Sequence, residues 1–309
     1  MRIKGSPTLR NDSLRSRLLW LWVLALAAGG CTASADTARL ETVVKAGIAY
    51  AAKAPPLLDR ALETAMAVDS RALVEARDGL PEEQRREALQ QFDAVMAERM
   101  TDYKAAKRHN ELLRSYFVAL RALLESGGPK ASGTAAKRLM AELGKLSPSL
   151  KKVRMGDVSV SGLVEPAVVM TVASFRSTAL RRELEARGPA IERELALQEA
   201  LVTALARQVR ADREILSAAF HNDEVVAPYV SAKRLPKTWP ARRLKSLREP
   251  VDVEAALAAE QAVRALRQAY VAAVEGRLDA GQAAELATTV EGFVEIVSRL
   301  GAEAGRAVR

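Results

Sequence analysis

The stretch that decides the fold is Leu89 to Leu124, LQQFDAVMAERMTDYKAAKRHNELLRSYFVALRALL. Leu89, Phe92, Met96, Tyr103, Ala106, Leu113, Phe117, Leu120 and Leu124 fall on one alternating spacing of three and four residues. That spacing is a heptad seam sustained over about five heptads, the pattern of a long helix packing one face against neighbours. Only Arg99 and Asn110 interrupt it, and a polar group at a seam position commonly fixes register at some cost in stability. At 1.5 Å per residue the stretch makes a rod of about 54 Å.

The rest of the chain divides around this rod at its prolines and glycines. Upstream, Thr37–Lys53 reads as a helix that Pro55-Pro56 ends or kinks, and Leu57 to about Arg77 as a second helix. Gly79 suits a C-terminal cap and Pro81 the first position of the next helix. Downstream, Gly127-Gly128-Pro129 stops the rod and a fourth helix covers roughly 131–146. Ser147–Ser161 is the least helical stretch; Val158-Ser159-Val160 alternates like a strand, but one strand makes no sheet, so a connecting loop over 151–161 is expected. From Leu163 to Leu184 the chain begins apolar nearly all round (Val168, Val169, Met170, Val172, Ala173, Phe175), which predicts a buried central helix.

Gly188-Pro189 then restarts the chain. Leu195, Val202, Val209 and Leu216 repeat every seven residues along a second long helix, with Ile191, Gln198, Leu205 and Asp212 as a mixed complementary set. A loop over 227–250 with four prolines leads to an alanine-rich helix, Val253–Val274, with Val263, Leu266 and Tyr270 inward. Asp279 with Gln282 forms a capping box for a last helix seamed by Leu286, Val290, Phe293, Val297 and Leu300. The expected fold is all-α: an elongated antiparallel helical bundle, in an N-terminal half (37–150) and a C-terminal half (162–309). With 4% aromatics and Ala, Leu, Glu and Arg dominant, the composition agrees.

The first thirty residues differ in kind. Arg2, Lys4, Arg10, Arg15 and Arg17 precede an uncharged run, Leu18–Gly30, too short to span a bilayer and of the length found in secretory signals. The run ends Ala28-Gly29-Gly30-Cys31, and Cys31 is the only cysteine. These residues resemble the lipobox of bacterial lipoproteins, with Ala28 where that class usually carries Leu. The resemblance covers residues 1–32 only. It implies removal of 1–30, a thioether-linked diacylglycerol and an acylated amine on Cys31, and membrane attachment through them. Thr32, where an Asp would signal inner-membrane retention, implies the outer membrane and a body facing the periplasm. Residues 31–36 would be a short tether. The alternative is an ordinary signal peptide cut near Ala33-Ser34-Ala35, with Cys31 discarded.

Five basic residues and one acid lie before residue 31, so the net charge falls from +9 for the whole chain to +5 beyond it. An excess this mild does not argue for nucleic acid. Gly-x-Ser-x-Gly, phosphate loops and HExxH spacing are missing, and no cofactor or metal is implied. His221, beside Asp223 and Glu224, reads as a polar face near a helix end, and His109 as polar packing flanking the seam. The best candidate surface is the loop carrying Lys233, Arg234, Lys237, Arg242, Arg243, Lys245 and Arg248 around Trp239, uninterrupted by any acid. An amphipathic ring among cations suits an anionic membrane surface or an acidic partner. The bland reading is a solvated loop with its indole tucked onto the bundle. A second basic cluster (Lys137, Arg138, Lys145, Lys151, Lys152, Arg154) reads as solvated helix surface.

Function therefore reads first as a non-enzymatic envelope lipoprotein, a helical scaffold that binds another envelope or secreted protein. A lipid- or hydrophobe-binding carrier is the alternative, motivated by the apolar 164–175 segment as a cavity lining. A cell-wall enzyme would rest on His221 or Glu224 with no motif behind it.

Overall fold

A computed structural model describes the backbone of residues 12–126, 132–155, 158–166, 168–173, 175, 177–248 and 250–307, and side chains from 35 to 302 within those limits, apart from 126 and 132–135. The described chain is almost wholly helical. The long helices are α1 (Asp12–Asp78), α2 (Glu82–Ser126), α3 (Ser132–Leu150), α4 (Thr178–His221), α7 (Val251–Val274) and α8 (Ala280–Ala307). Two short ones, α5 (Ala227–Ser231) and α6 (Trp239–Ser246), follow a π-helical turn at Asn222–Val226. Asn110 against Ala51 and Lys107 against Asp59 run α2 antiparallel to α1. Thr64 against Asp252 at one end, with Asp36 near Gly276 at the other, runs α7 antiparallel to α1 as well.

Of the two outcomes the sequence allows at Pro55-Pro56, an end or a kink, the first does not occur: α1 runs through both prolines. Pro55 has no N–H for the Ala51 carbonyl four residues back, and Ala51 is buried. Asn110, fully buried on α2, donates its Nδ2 to that carbonyl at 2.6 Å. The polar residue that interrupts the α2 seam thus repairs the proline lesion in α1 and sets the register of the two helices. Pro56, Pro148 and Pro189 free the carbonyls of Ala52, Gly144 and Glu185, all exposed residues, so Gly188-Pro189 lies inside α4 instead of restarting the chain. Residues 31–36, expected as an extended tether, are helical within α1. Two local expectations shift slightly. Gly79 closes α1 through a 3.2 Å bond to the Ala76 carbonyl without a left-handed φ, and Pro81 precedes α2, accepting from the Gln84 amide.

The apolar segment after Leu163 is not a helix. Residues 163–177 form neither helix nor strand as far as they are described, Val169 is 92% exposed, and α4 begins only at Thr178, where Ser177 caps it. Topology explains this. Near the end of α3, Ser147 reaches Glu194 about a third of the way along α4, so the chain must travel back before α4 can start. Thr178 lies sixteen residues, about 24 Å, back along α4 from Glu194. The clustered β-branched residues and Pro166 also favour extension. This return lies along α7. Ala173 N–H bonds the Val274 carbonyl at 2.7 Å, and buried Arg267 of α7 joins Glu165 of the return to Glu192 and Glu199 of α4. Ahead of it, the expected loop contains a minimal antiparallel hairpin, β1 (Arg154–Met155) with β2 (Val158–Ser159).

The core runs between the helices. α7 is central, packed by α1, α4 and α8, and lined by alanines (Ala255, Ala256, Ala259, Ala262, Ala273) with Val263, Leu266 and Tyr270. On α1, Gly47 lets the Phe117 ring sit where a Cβ would be, within 2.7–2.9 Å of its atoms. Phe117 meets Tyr116 and Tyr270 edge-on, with centroids 6.0 and 6.3 Å away. His109 is fully buried, deeper than polar packing beside a seam requires. Its Nδ1 lies 2.8 Å from Gln198 Oε1 and its Nε2 3.0 Å from Glu194 Oε2. With Tyr50, Gln198 and Ser147 it forms one polar layer tying α1, α2, α3 and α4. At the α7–α8 turn Gly276 has φ of 70°, where an added Cβ would also come 3.1 Å from that of Ala173. The capping box forms as expected: Asp279 Oδ1 accepts from Gln282 N–H at 2.8 Å and Gln282 Oε1 from Asp279 N–H at 3.1 Å. All five apolar seam residues of α8 are buried.

A basic and aromatic knob at the far end of the bundle

The C-terminal end of α4 overruns the start of α7, and the chain beyond it builds a lateral knob. The π-helical turn opens the backbone ladder, a distortion frequent at functional sites. Trp239, first residue of α6, donates its Nε1–H to the Val225 carbonyl in that turn at 3.0 Å. Its ring stacks on Tyr229 of α5 with centroids 5.4 Å apart. The indole is therefore half-buried and tucked onto the bundle, while the residues around it form a helix where the sequence predicts a loop.

The basic residues divide into engaged and open groups. Arg242 pairs with Glu224 across the π turn. Lys245 Nζ lies over the Phe220 ring, 5.0 Å from its centroid. Lys233, Arg234 and Lys237 occupy the connection before α6, Arg243 lies on α6 and Arg248 follows it; all five are exposed. Among them stand exposed apolar groups, Tyr229, Val230, Leu244 and Leu247. Neighbouring cations and bare apolar side chains make an amphipathic surface, which the sequence shows only in its basic half. In the second basic cluster, Lys137 and Arg138 are exposed on α3, and Arg154 opens β1.

The knob is fixed to the rod by Asp223, which accepts from Arg71 of α1 at 3.1 Å. Arg71 is thirty-five residues along α1 from Asp36, or about 52 Å up the helix. Cys31 lies on α1 further in the same direction, and its side chain is outside the described residues. Beneath α6 the knob leaves a half-open cleft of about 760 Å³, lined by Arg60, Arg213, Leu216, Phe220, Lys245 and Arg248 among others.

Acid–base chemistry finds no assembled pair here. His221 Nδ1 meets Ser246 Oγ at 3.3 Å and Glu224 is committed to Arg242. Among the described residues no cluster of His, Cys, Asp and Glu has metal-binding geometry, and no helix is long and apolar enough to cross a membrane. No known family model, curated protein or solved structure matches the chain.

Proposed function

We propose that the chain is a non-enzymatic cell-envelope lipoprotein, anchored in the outer membrane by acylated Cys31 and facing the periplasm. Its helical bundle acts as a scaffold that holds a basic, aromatic knob out toward another envelope or secreted protein with an acidic surface. The observation that carries this reading is the placement of the knob about 52 Å along α1 from Asp36. A lipid anchor of several acyl chains already makes attachment effectively permanent, at about 0.8 kcal/mol per buried methylene. Cations at the opposite end add little to that attachment, but they steer an acidic partner. The segment that motivates a carrier, 164–175, is irregular as far as it is described, with Val169 bare to solvent.

The test has two arms. Cys31→Ser should leave the signal uncut or cut elsewhere and release the protein from membranes; wild-type processing and fractionation of that variant would sink the anchor. A photo-cross-linking residue at exposed position 243 should capture one protein in intact envelopes. Lys233→Glu with Lys237→Glu should abolish that capture. Capture that survives charge reversal, or cross-links to phospholipid alone, would overturn the protein-partner reading.

A further inference from the structure

The cleft beneath α6 shares residues of that helix, Leu244 and Lys245 among them, and Arg248 with the knob, but the rest of its lining comes from α1, α4, α7 and α8 and from Pro250 and does not include Tyr229 or Trp239. We propose that it binds a single-chain anionic amphiphile, with the chain on the α4 floor and a carboxylate or phosphate head among Arg60, Lys245 and Arg248.

The lining separates into an apolar bed and a cationic rim. Leu216 and Phe220 of α4, Leu244 of α6 and Leu300 of α8 supply the bed. The lining also holds a self-neutralising pair, Arg213 and Asp252. Asp252, 2% exposed, accepts from Arg213 and from Thr64 Oγ1, so Arg213 is already spent. The other three cations are available. Arg60 holds Glu63 at 2.8 Å, but both side chains are substantially exposed, and a pair of that kind exchanges at little cost. Lys245 rests on Phe220, and neither it nor Arg248 meets a carboxylate among the described residues. Like charges on low-dielectric walls focus a positive potential into the opening.

Size selects the class of occupant. About 760 Å³ lies within the range of about 300–1,000 Å³ typical of small-ligand sites. A helix about 10 Å across would fit for less than about two turns, too little for a peptide to bury an apolar face. An uncharged hydrophobe would leave the cations without a partner, and a bare anion would leave the leucines wet. A molecule with one chain and one negative head satisfies both parts.

Calorimetry on the full chain carrying Cys31→Ser, purified without detergent, tests this with four probes below their micelle concentrations. Laurate and dodecyl phosphate share a chain and differ in head; dodecyl maltoside keeps the chain without charge; inorganic phosphate keeps the charge without a chain. At least one of the first two should bind at a single site, about tenfold or more tighter than the last two. Which of them binds tells a free fatty acid from a phosphate-headed lipid. Lys245→Glu with Arg248→Glu should weaken that binding about tenfold or more, and added salt should weaken it in wild type. Ala241→Trp, which fills the cleft from α6, should abolish it while the far-ultraviolet circular dichroism stays unchanged. Dodecyl maltoside or phosphate binding as tightly as the charged amphiphiles would overturn the proposal. So would full binding by either variant, or no binding of any charged amphiphile to wild type.

Discussion

The two halves of α2 carry one seam and lead different lives. From Tyr103 to Leu120 its residues are sealed between α1, α3 and α4. From Leu89 to Met96 the same spacing continues, yet Leu89 is 46% exposed and Phe92 and Met96 are only half-buried. The cause lies in the neighbours. α7 begins at Val251, where Asp252 meets Thr64, and α8 has reached Leu300 near the same level. Beyond it α1 and α2 continue as a hairpin with only the end of α4 and the knob beside them among the described residues, held by Arg71 on Asp223. A heptad pattern states where a helix keeps its apolar face. Whether that face is covered depends on where other helices stop.

This difference can be broken by a matched pair of truncations. Phe117→Ala, in the sealed half, should cost about 3–5 kcal/mol in urea unfolding, because the site is enclosed by Gly47, Tyr116 and Tyr270 and cannot collapse. Leu89→Ala, on the open half, should stay within about 0.5 kcal/mol. Equal losses would mean that the hairpin is covered as well as the rod. A smaller effect sharpens the sealed half: Gly47→Ala should destabilise by about 1–3 kcal/mol, since the new methyl meets the Phe117 ring. Gly47→Ala combined with Phe117→Leu should recover part of that loss; no recovery would place the clash elsewhere.

The smallest effect belongs to the boundary between the halves, where Asp212 of α4 is 3% exposed. Burial pushes its carboxyl above the ordinary aspartate range, against the opposing pull of the Gln208 hydrogen bond and of Arg99 and Arg213. A folded-state value above the unfolded one means that the folded chain holds its proton longer. That contribution to stability is full at pH below the ordinary aspartate value and is lost as pH rises through the raised one. Asp212→Asn should flatten this part of the profile and leave melting temperatures slightly higher at neutral pH. A wild-type profile with no such decline across the weakly acidic range would remove the argument.

How far these features were readable follows from whether their causes are local. The α8 seam, the Asp279–Gln282 box and the inward residues of α7 rest on spacing within one segment, and the sequence carries them whole. The continuity of α1 through Pro55 does not, because its remedy is Asn110, far along the chain. The return at 163–177 is hidden for the same reason: its residues are as apolar as a core helix, and nothing within the segment records that the chain must pass back to the start of α4. At the candidate site the run of cations was legible as charge. Its folding into α6, the pairing of Arg242 with Glu224 and the distance from Asp36 all depend on the π turn and Arg71, which leave no periodic trace.

The alanine face of α7 has a consequence for how the chain tolerates change. Ala255, Ala256, Ala259, Ala262 and Ala273 are all nearly inaccessible, and α7 is enclosed by α1, α4 and α8. Contact there is made by short side chains, which is how a chain with only 4% aromatics can still fill its interior. Any enlargement on that face pushes against neighbouring helices with no side chain that can swing aside. Neutral drift at these five alanines is thus confined to small residues, whereas the open half of α2 can wander among polar and apolar residues. Descendants of this sequence would diverge fastest at the hairpin and keep a small-residue signature in the middle of α7.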